Sequence, residues 1–577
     1  MNSYDLVIRG GNVADGKGGP LYEADIAIKE GVIVEVGRVP ERGSEEIDAR
    51  GQMVTPGFVD IHTHYDGQST WDSQLTPSCW HGVTTVVMGN CGVGFAPVRP
   101  RDHECLIELM EGVEDIPGSA LHEGLKWEWE SFAEYLDALD RREHDIDICA
   151  QLPHGALRVY VMGERAVKLE PATQDDIAEM RRLAAEAMRA GAIGFSTSRT
   201  VNHRTVKGDP TPSLRAAEDE LTGIAMGLKD AGSGVIELIS DFDTPDVETE
   251  FARIRRIVQQ SGRPLSLSLG QRNSDPDGWR FLLGLIEDAS KSGLKIKAQV
   301  APRAISMLFG LQGSLNPFSA HPSFRALGDK PLSDRVAIMR TVDFRDRLLS
   351  ESPEPKLAGL ARRLMAFERI FPLGDPPDYE PPQDRSIASL ARSQGRQPAE
   401  VAYDFLLEND GRGFLFAPFA NYAEFNLDAC REMMLHPDAV IGLADGGAHV
   451  GIISDSNYPT YLLTHWGRDR SSGRLDPGFL VKRHTADTAR TVGLLDRGMI
   501  AAGMKADINV IDFDKLRLEA PVMAFDLPAG GKRLLQRAQG YTATIVSGAV
   551  VYRNGEATGE LPGKLVRGTQ PVPAVQN

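Results

Sequence analysis

The sequence predicts an α/β chain: a (β/α)8 TIM-type barrel, with a small β-sandwich domain formed by both chain ends and a long helical insert before the last barrel strand. Three observations predict it. Short apolar strand candidates alternate with helix-like segments through the middle of the chain, the texture of a parallel sheet. The two ends share a different texture, short strands cut by Gly-rich turns. Two histidines close the first strand candidate and an aspartate follows the last, where a barrel carries its working groups.

Composition agrees with a soluble enzyme and excludes several classes. A chain of 577 residues is too long for one ordinary core but fits a barrel with additions. A formal charge of -18 argues against nucleic acid or an anionic membrane as partner. No apolar run approaches the ~20 residues of a membrane helix, and Met1-Asn2-Ser3-Tyr4-Asp5 lacks a basic, signal-type start. Five sparsely spaced cysteines point to a reducing cytoplasm rather than a disulfide framework.

The ends, 1–55 and 505–570, contain Leu6-Val7-Ile8, Ile26-Ala27-Ile28, Ile508-Asn509-Val510-Ile511 and Thr542-Ala543-Thr544-Ile545-Val546. They read as one composite β-domain, or as two unrelated flanking hairpins. Residues 56–504 read as the barrel. Its strand candidates are 58–62, 84–88, 146–152, 192–195, 235–239, 264–269, 296–300 and 440–443. Helix patterns over 175–190 and 247–260 stop at Gly191 and Gly262. The seventh and eighth candidates are separated by an insert of about 303–438, far beyond an ordinary loop. It reads as helical, a lid over the active site or an appendage.

The chemistry gathers at the strand ends. His62 and His64, two apart, point the same way if the strand continues through them, and two imidazoles on one face can grip a divalent metal. A pair of structural histidines fits the same pattern. Cys91, on a turn between Asn90 and Gly92, is either a thiolate ligand or an inert core thiol. Asp445, in Ala444-Asp445-Gly446-Gly447-Ala448-His449, is a carboxylate able to hold a metal and take a proton from water. His449 reads as an oxyanion or orienting group, or as a plain loop histidine. Arg158, Arg199, His203, Lys207 and Arg303 follow strand candidates on the face where a substrate carboxylate would need a cationic clamp. Surface salt bridging is the plain alternative for each.

Taken together, these segments resemble the amidohydrolase superfamily, within it the D-aminoacylase (N-acyl-D-amino-acid deacylase) branch. The matching pieces are Thr55-Pro56-Gly57-Phe58-Val59-Asp60-Ile61-His62-Thr63-His64, Gly89-Asn90-Cys91-Gly92, His154-Gly155-Ala156-Leu157-Arg158, Gly191-Ala192-Ile193-Gly194-Phe195-Ser196-Thr197 and Asp445-Gly446-Gly447-Ala448-His449. A tail from Asp496-Arg497-Gly498 to Lys505-Ala506-Asp507 completes them. The resemblance implies zinc as cofactor, a homo-oligomer, and hydrolysis of an amide C–N bond in an N-acyl (D-)amino acid or related compound. It implies His62, His64, Cys91 and Asp445 as metal ligands, with Asp445 also the general base. One departure stands out: Ile239 and Leu269 occupy positions where the branch carries histidines on the fifth and sixth strands. The expectation is therefore one ion, a second site being doubtful, with Glu237, Asp241 or Gln271 as substitutes or as ordinary polar residues. The alternatives are a mononuclear hydrolase of another amide, cyclic amide or carbamate, and a non-catalytic barrel scaffold.

Overall fold

In the computed structural model, which describes residues 4–242, 246–328 and 330–574, eight parallel strands follow one another around a barrel. They are β1 (Phe58–Asp60), β2 (Val83–Met88), β3 (Asp147–Pro153), β4 (Gly194–Arg199), β5 (Val235–Ser240), β6 (Leu265–Ser268), β7 (Ile296–Val300) and β8 (Ala439–Ile441). Each pairs with its sequence neighbour, in the order β8 to β1. The seam between β8 and β1 is closed just beyond the strands. The Asp445 amide donates to the His62 carbonyl at 3.0 Å, and the His64 amide donates to the Gly446 carbonyl at 2.7 Å.

Most strand boundaries shift by one or two residues from the sequence reading, and two of the differences bear on the site. β1 ends at Asp60, so His62 and His64 lie past it and are held by the seam rather than by strand alternation. β4 begins later than expected and runs through the polar run Ser196-Thr197-Ser198-Arg199. Each hydroxyl has a partner: Ser196 Oγ donates to the Gly89 carbonyl and accepts from the Gly92 amide, while Thr197 and Ser198 pair with the rings of His154 and His203.

The outer helices form where their stop signals predict. Gln174–Ala190 starts in a capping box of Thr173 and Asp176 and stops at Gly191, whose φ of 117° suits only glycine. It turns Ile177, Met180, Ala184 and Met188 inward at helical spacing. Val247–Ser261 is capped by Asp246 and ends at Gly262, at φ 66°.

Both chain ends contribute to a nine-stranded sheet. Met53–Pro56 lies parallel to the end of Tyr4–Val13 on one side and antiparallel to Ile508–Ile511 on the other. The chain then passes straight into β1 through Gly57, where any side chain would overlap Thr84. The insert is largely helical. It also carries a three-stranded antiparallel sheet, Ile305–Phe309, Phe371–Pro372 and Leu415–Ala420, and a hydrophobic cluster of its own around Phe318, Met339, Phe344 and Tyr403. Among the described residues no helix is long and apolar enough to cross a membrane.

The floor of the barrel is fastened by a buried charge cluster. Asp147, at the start of β3, accepts from Arg497 at 2.6 Å and from Lys505 at 2.8 Å. Burial pushes the Asp147 carboxyl up, but Lys505 and Arg497 more than reverse this and hold it below the usual carboxylate range. Its stabilising charge is therefore present at neutral pH and lost only as pH falls below that range. Asp147→Ala would remove the acid shared by Arg497 and Lys505 while leaving them Asp496 and Asp507, and should cost about 1.5–3 kcal/mol in denaturant-induced unfolding. A loss within experimental error of zero would remove this cluster from the account of stability.

Candidate metal centre and active site

His62, His64 and Cys91 converge beyond the strand ends, with one potential ligand atom from each lying within 4.8 Å of the others. Their orientation follows from neighbouring groups. Gln299, a polar side chain inside apolar β7, donates its amide nitrogen to Ser266 Oγ at 2.9 Å. Its oxygen therefore faces His62 Nδ1, 2.7 Å away, and Nδ1 must carry the proton. That leaves the lone pair on Nε2, which lies 3.4 Å from Cys91 Sγ and 3.4 Å from Asp445 Oδ1. His64 presents Nε2 to Asp445 Oδ1 at 3.8 Å and Nδ1 to Glu114 Oε1 at 3.3 Å.

Cys91, Asp445 and His449 all adopt left-handed backbone conformations, with φ of 55°, 49° and 48°. Each such residue costs of order 1–3 kcal/mol and persists only where the surroundings enforce it. At Cys91 the enforcing contact is Glu237, which accepts the Cys91 amide at 2.9 Å. At Asp445 it is the seam itself.

The acids around this cluster fit a cation. Asp60, Glu114 and Glu237 are buried, and none of them, nor Asp445, has a lysine or arginine among its hydrogen-bond or ion-pair partners in the described residues. One oxygen each of Asp60, Glu114 and Glu237 has no hydrogen-bond partner, and neither has His64 Nδ1. Burial raises Asp60 and Glu237 to about 7 and pushes Glu114 and the Cys91 thiol well above their ordinary values. Buried acids without a counter-charge are costly, and a divalent ion beside imidazole and thiolate reverses that cost. The donor set of two imidazoles, a thiolate and a carboxylate is one that zinc accepts.

Of the residues the sequence proposed as substitutes on the fifth and sixth strands, Glu237 alone reaches this centre, one turn of strand alternation before Ile239. Asp241 instead accepts from Thr200 and Val201, and Gln271 binds backbone around Pro276 and Ala423. Glu114, which ends helix His103–Glu114, was not foreseen. It lies between His64 and His449, with Oε2 3.5 Å from His449 Nε2.

The cationic clamp expected from the sequence is corrected for its three arginines. Arg158 is 1% exposed and spends its fork on Glu220 and the carbonyls of Ala166, Pro212 and Glu170. Arg199 is inside β4 and pairs with Glu250 at 2.6 Å. Arg303 is fully buried, paired with Asp455 at 2.8 Å and stacked 4.0 Å over Tyr379. Each has an acid supplied by a distant segment, which strand position alone does not reveal. Lys207 pairs with Glu108 on the surface. His203 remains beside the centre, hydrogen-bonded to Ser198 at 3.0 Å, and burial with His449 and His62 nearby pushes it down to about 3. The cleft next to Asp445 is lined by Gln68, Thr76, Asp455, Ser456 and Arg533, the last from the C-terminal hairpin Val522–Leu535.

With the barrel and its centre in view, the comparisons define the class. The chain belongs to the Amidohydrolase family, whose model matches residues 45–552, and it is a metal-dependent amidohydrolase. It is 27% identical to an uncharacterized protein of Mycobacterium tuberculosis (strain ATCC 25618 / H37Rv) over 97% of this chain and 93% of that protein. It is 26% identical to the D-aminoacylase of Alcaligenes xylosoxydans xylosoxydans, over 98% of each. The solved N-acyl-D-glutamate deacylase of Bordetella bronchiseptica, complexed with zinc and a phosphonate inhibitor, has the same fold. It matches at a TM-score of 0.64 and 21% identity, over 98% of this chain and 99% of that one.

Because Gln299 sets the tautomer of His62, Gln299→Leu should weaken zinc binding by about 10–100-fold. Competition titration against a chromophoric chelator reads this directly. Unchanged affinity would mean that Gln299 does not orient the imidazole.

Proposed function

We propose that the chain hydrolyses the amide C–N bond of an N-acyl amino acid or related N-acyl compound, with Asp445 as general base. The observation that carries this reading is the placement of the Asp445 carboxylate. It lies 3.4 Å and 3.8 Å from the Nε2 atoms of the two histidines, and at 15% exposure its side chain is the accessible acid among otherwise buried ones. His62, His64, Cys91 and Asp445 would hold one zinc ion, with Glu237 nearest at hand should a further ligand be needed. When bound, that ion supplies Lewis acidity towards the amide carbonyl and the attacking water.

The chain's own residues account for the proton traffic. Asp445 takes a proton from water in the cleft and hands it to the departing nitrogen, the ordinary cycle of a carboxylate base that becomes an acid. His449, held towards the centre by Glu114, is placed to donate to the oxygen that gains charge as the carbonyl is attacked. His203, kept neutral by burial, adds no positive charge beside His62 and His449. Arg533 is the cation of the cleft wall. Its partner Asp526 is half exposed, so water can take over that carboxylate when Arg533 turns to a substrate carboxylate. The names of the relatives favour a D-amino acid.

Zinc-loaded protein offered a panel of N-acyl-D- and N-acyl-L-amino acids should release free amine from the D-series. Asp445→Asn should lower kcat by about 10²–10⁴-fold while the protein still folds and melts cooperatively. Protein that binds no zinc and releases amine from no member of the panel would instead be a scaffold. Activity confined to cyclic amides or carbamates would keep the chemistry and replace the substrate.

A further inference from the structure

At the opposite end of the barrel from the metal centre lies a cavity of about 820 Å³ that the hydrolytic reaction does not use. Its walls are the starts of the later strands, from Val235, Leu265, Ile296 and Ala439, together with helices Pro477–His484 and Ala486–Thr491. Six cationic side chains line it: Arg263, Lys295, Lys297, Lys482, Arg483 and Arg490. The lining contains one carboxylate, Asp487, and that acid is shared by Arg483 at 2.9 Å, Arg490 at 3.8 Å and Lys482 at 3.9 Å. Lys297 pairs with Asp438 beside the cavity.

Arg263 and Lys295 have no acid partner within the described residues, and Arg483 is only partly satisfied by Asp487. Arg263 spends its nitrogens on the Gly234 and Gly232 carbonyls, and Lys295 is exposed with no ion pair. Arg483 is 6% exposed and leaves Nε without a hydrogen-bond partner. Crowding like charges around one partly dry cavity is unfavourable, and a chain carrying a net -18 has acids enough to have avoided it. An anion entering the cavity removes that cost, and forked guanidinium groups beside lysines are the set that grips phosphate oxygens. The volume is that of a small-molecule site.

We propose that this cavity binds a small phosphorylated anion, at a site separate from the metal centre. The phosphate group is the element recognised, whether free or carried on a nucleotide. Titration calorimetry of the zinc-loaded full chain at low ionic strength, with inorganic phosphate and with ADP as probes, tests it. Saturable binding of both probes would assign recognition to the phosphate alone, and binding of ADP only would assign it to the nucleotide. In either case the affinity should fall as salt is added. Charge reversal at the exposed wall, Lys295→Glu with Arg490→Glu, should weaken binding by about tenfold or more and leave the zinc content unchanged. If that double variant melts early, the single exposed change Lys295→Gln provides the same comparison with a smaller loss. The proposal is overturned if neither probe binds saturably, if the wall variants bind as tightly as the parent, or if binding vanishes with His62→Ala and therefore belongs to the metal centre.

Discussion

Two backbone hydrogen bonds carry more of this molecule than their number suggests. The Asp445 amide to the His62 carbonyl, and the His64 amide to the Gly446 carbonyl, close the barrel between its first and last strands. The same two bonds fix the spacing of the paired imidazoles and the carboxylate. Closure of the barrel and delivery of Asp445 to the paired imidazoles are thus one event. A (β/α)8 sheet left open at this seam would expose two edges, each with unpaired backbone groups. The left-handed backbone of Asp445 is held in place by the seam bond that its own amide donates to the His62 carbonyl.

Around that seam the molecule gathers carboxyl groups in a dry place. Asp60, Glu114 and Glu237 are buried beside His62, Cys91 and His64, and among the described residues no lysine or arginine pairs with any of them. Elsewhere the same chain neutralises buried charge carefully, as at Asp147 with Arg497 and Lys505, or at Glu220 with Arg158. The contrast between the two treatments is the physical signature of a cation site. It also explains why the arginines suggested by strand position proved to be internal: their charge is already committed to Glu220, Glu250 and Asp455.

Much of the architecture was legible because it is written in local pattern. Short apolar runs, capping residues and the glycines at 191 and 262 locate the eight strands and the helices that flank them. His62, His64, Cys91 and Asp445 were legible as polar residues at strand ends. Gln299 and Glu237 left a fainter trace, a polar side chain flanked by apolar neighbours in a strand, and only Glu237 was weighed for a role at the centre. Glu114 left none, since nothing in a helix end between two strands tells which histidines it will meet. The partners of Arg158, Arg199 and Arg303 were equally hidden, because each comes from a segment whose approach depends on the complete tertiary fold.

The pairing of Met53–Pro56 with Ile508–Ile511 has a consequence for how the chain matures. The strand that leads into the paired histidines gains its outer neighbour only after nearly the whole polypeptide has left the ribosome, and Asp445 arrives almost as late. During synthesis His62, His64 and Cys91 can therefore meet one another well before the carboxylate that completes their surroundings. Contacts so distant along the chain form slowly, so the last group to reach the site is the one delivered by the closing strand.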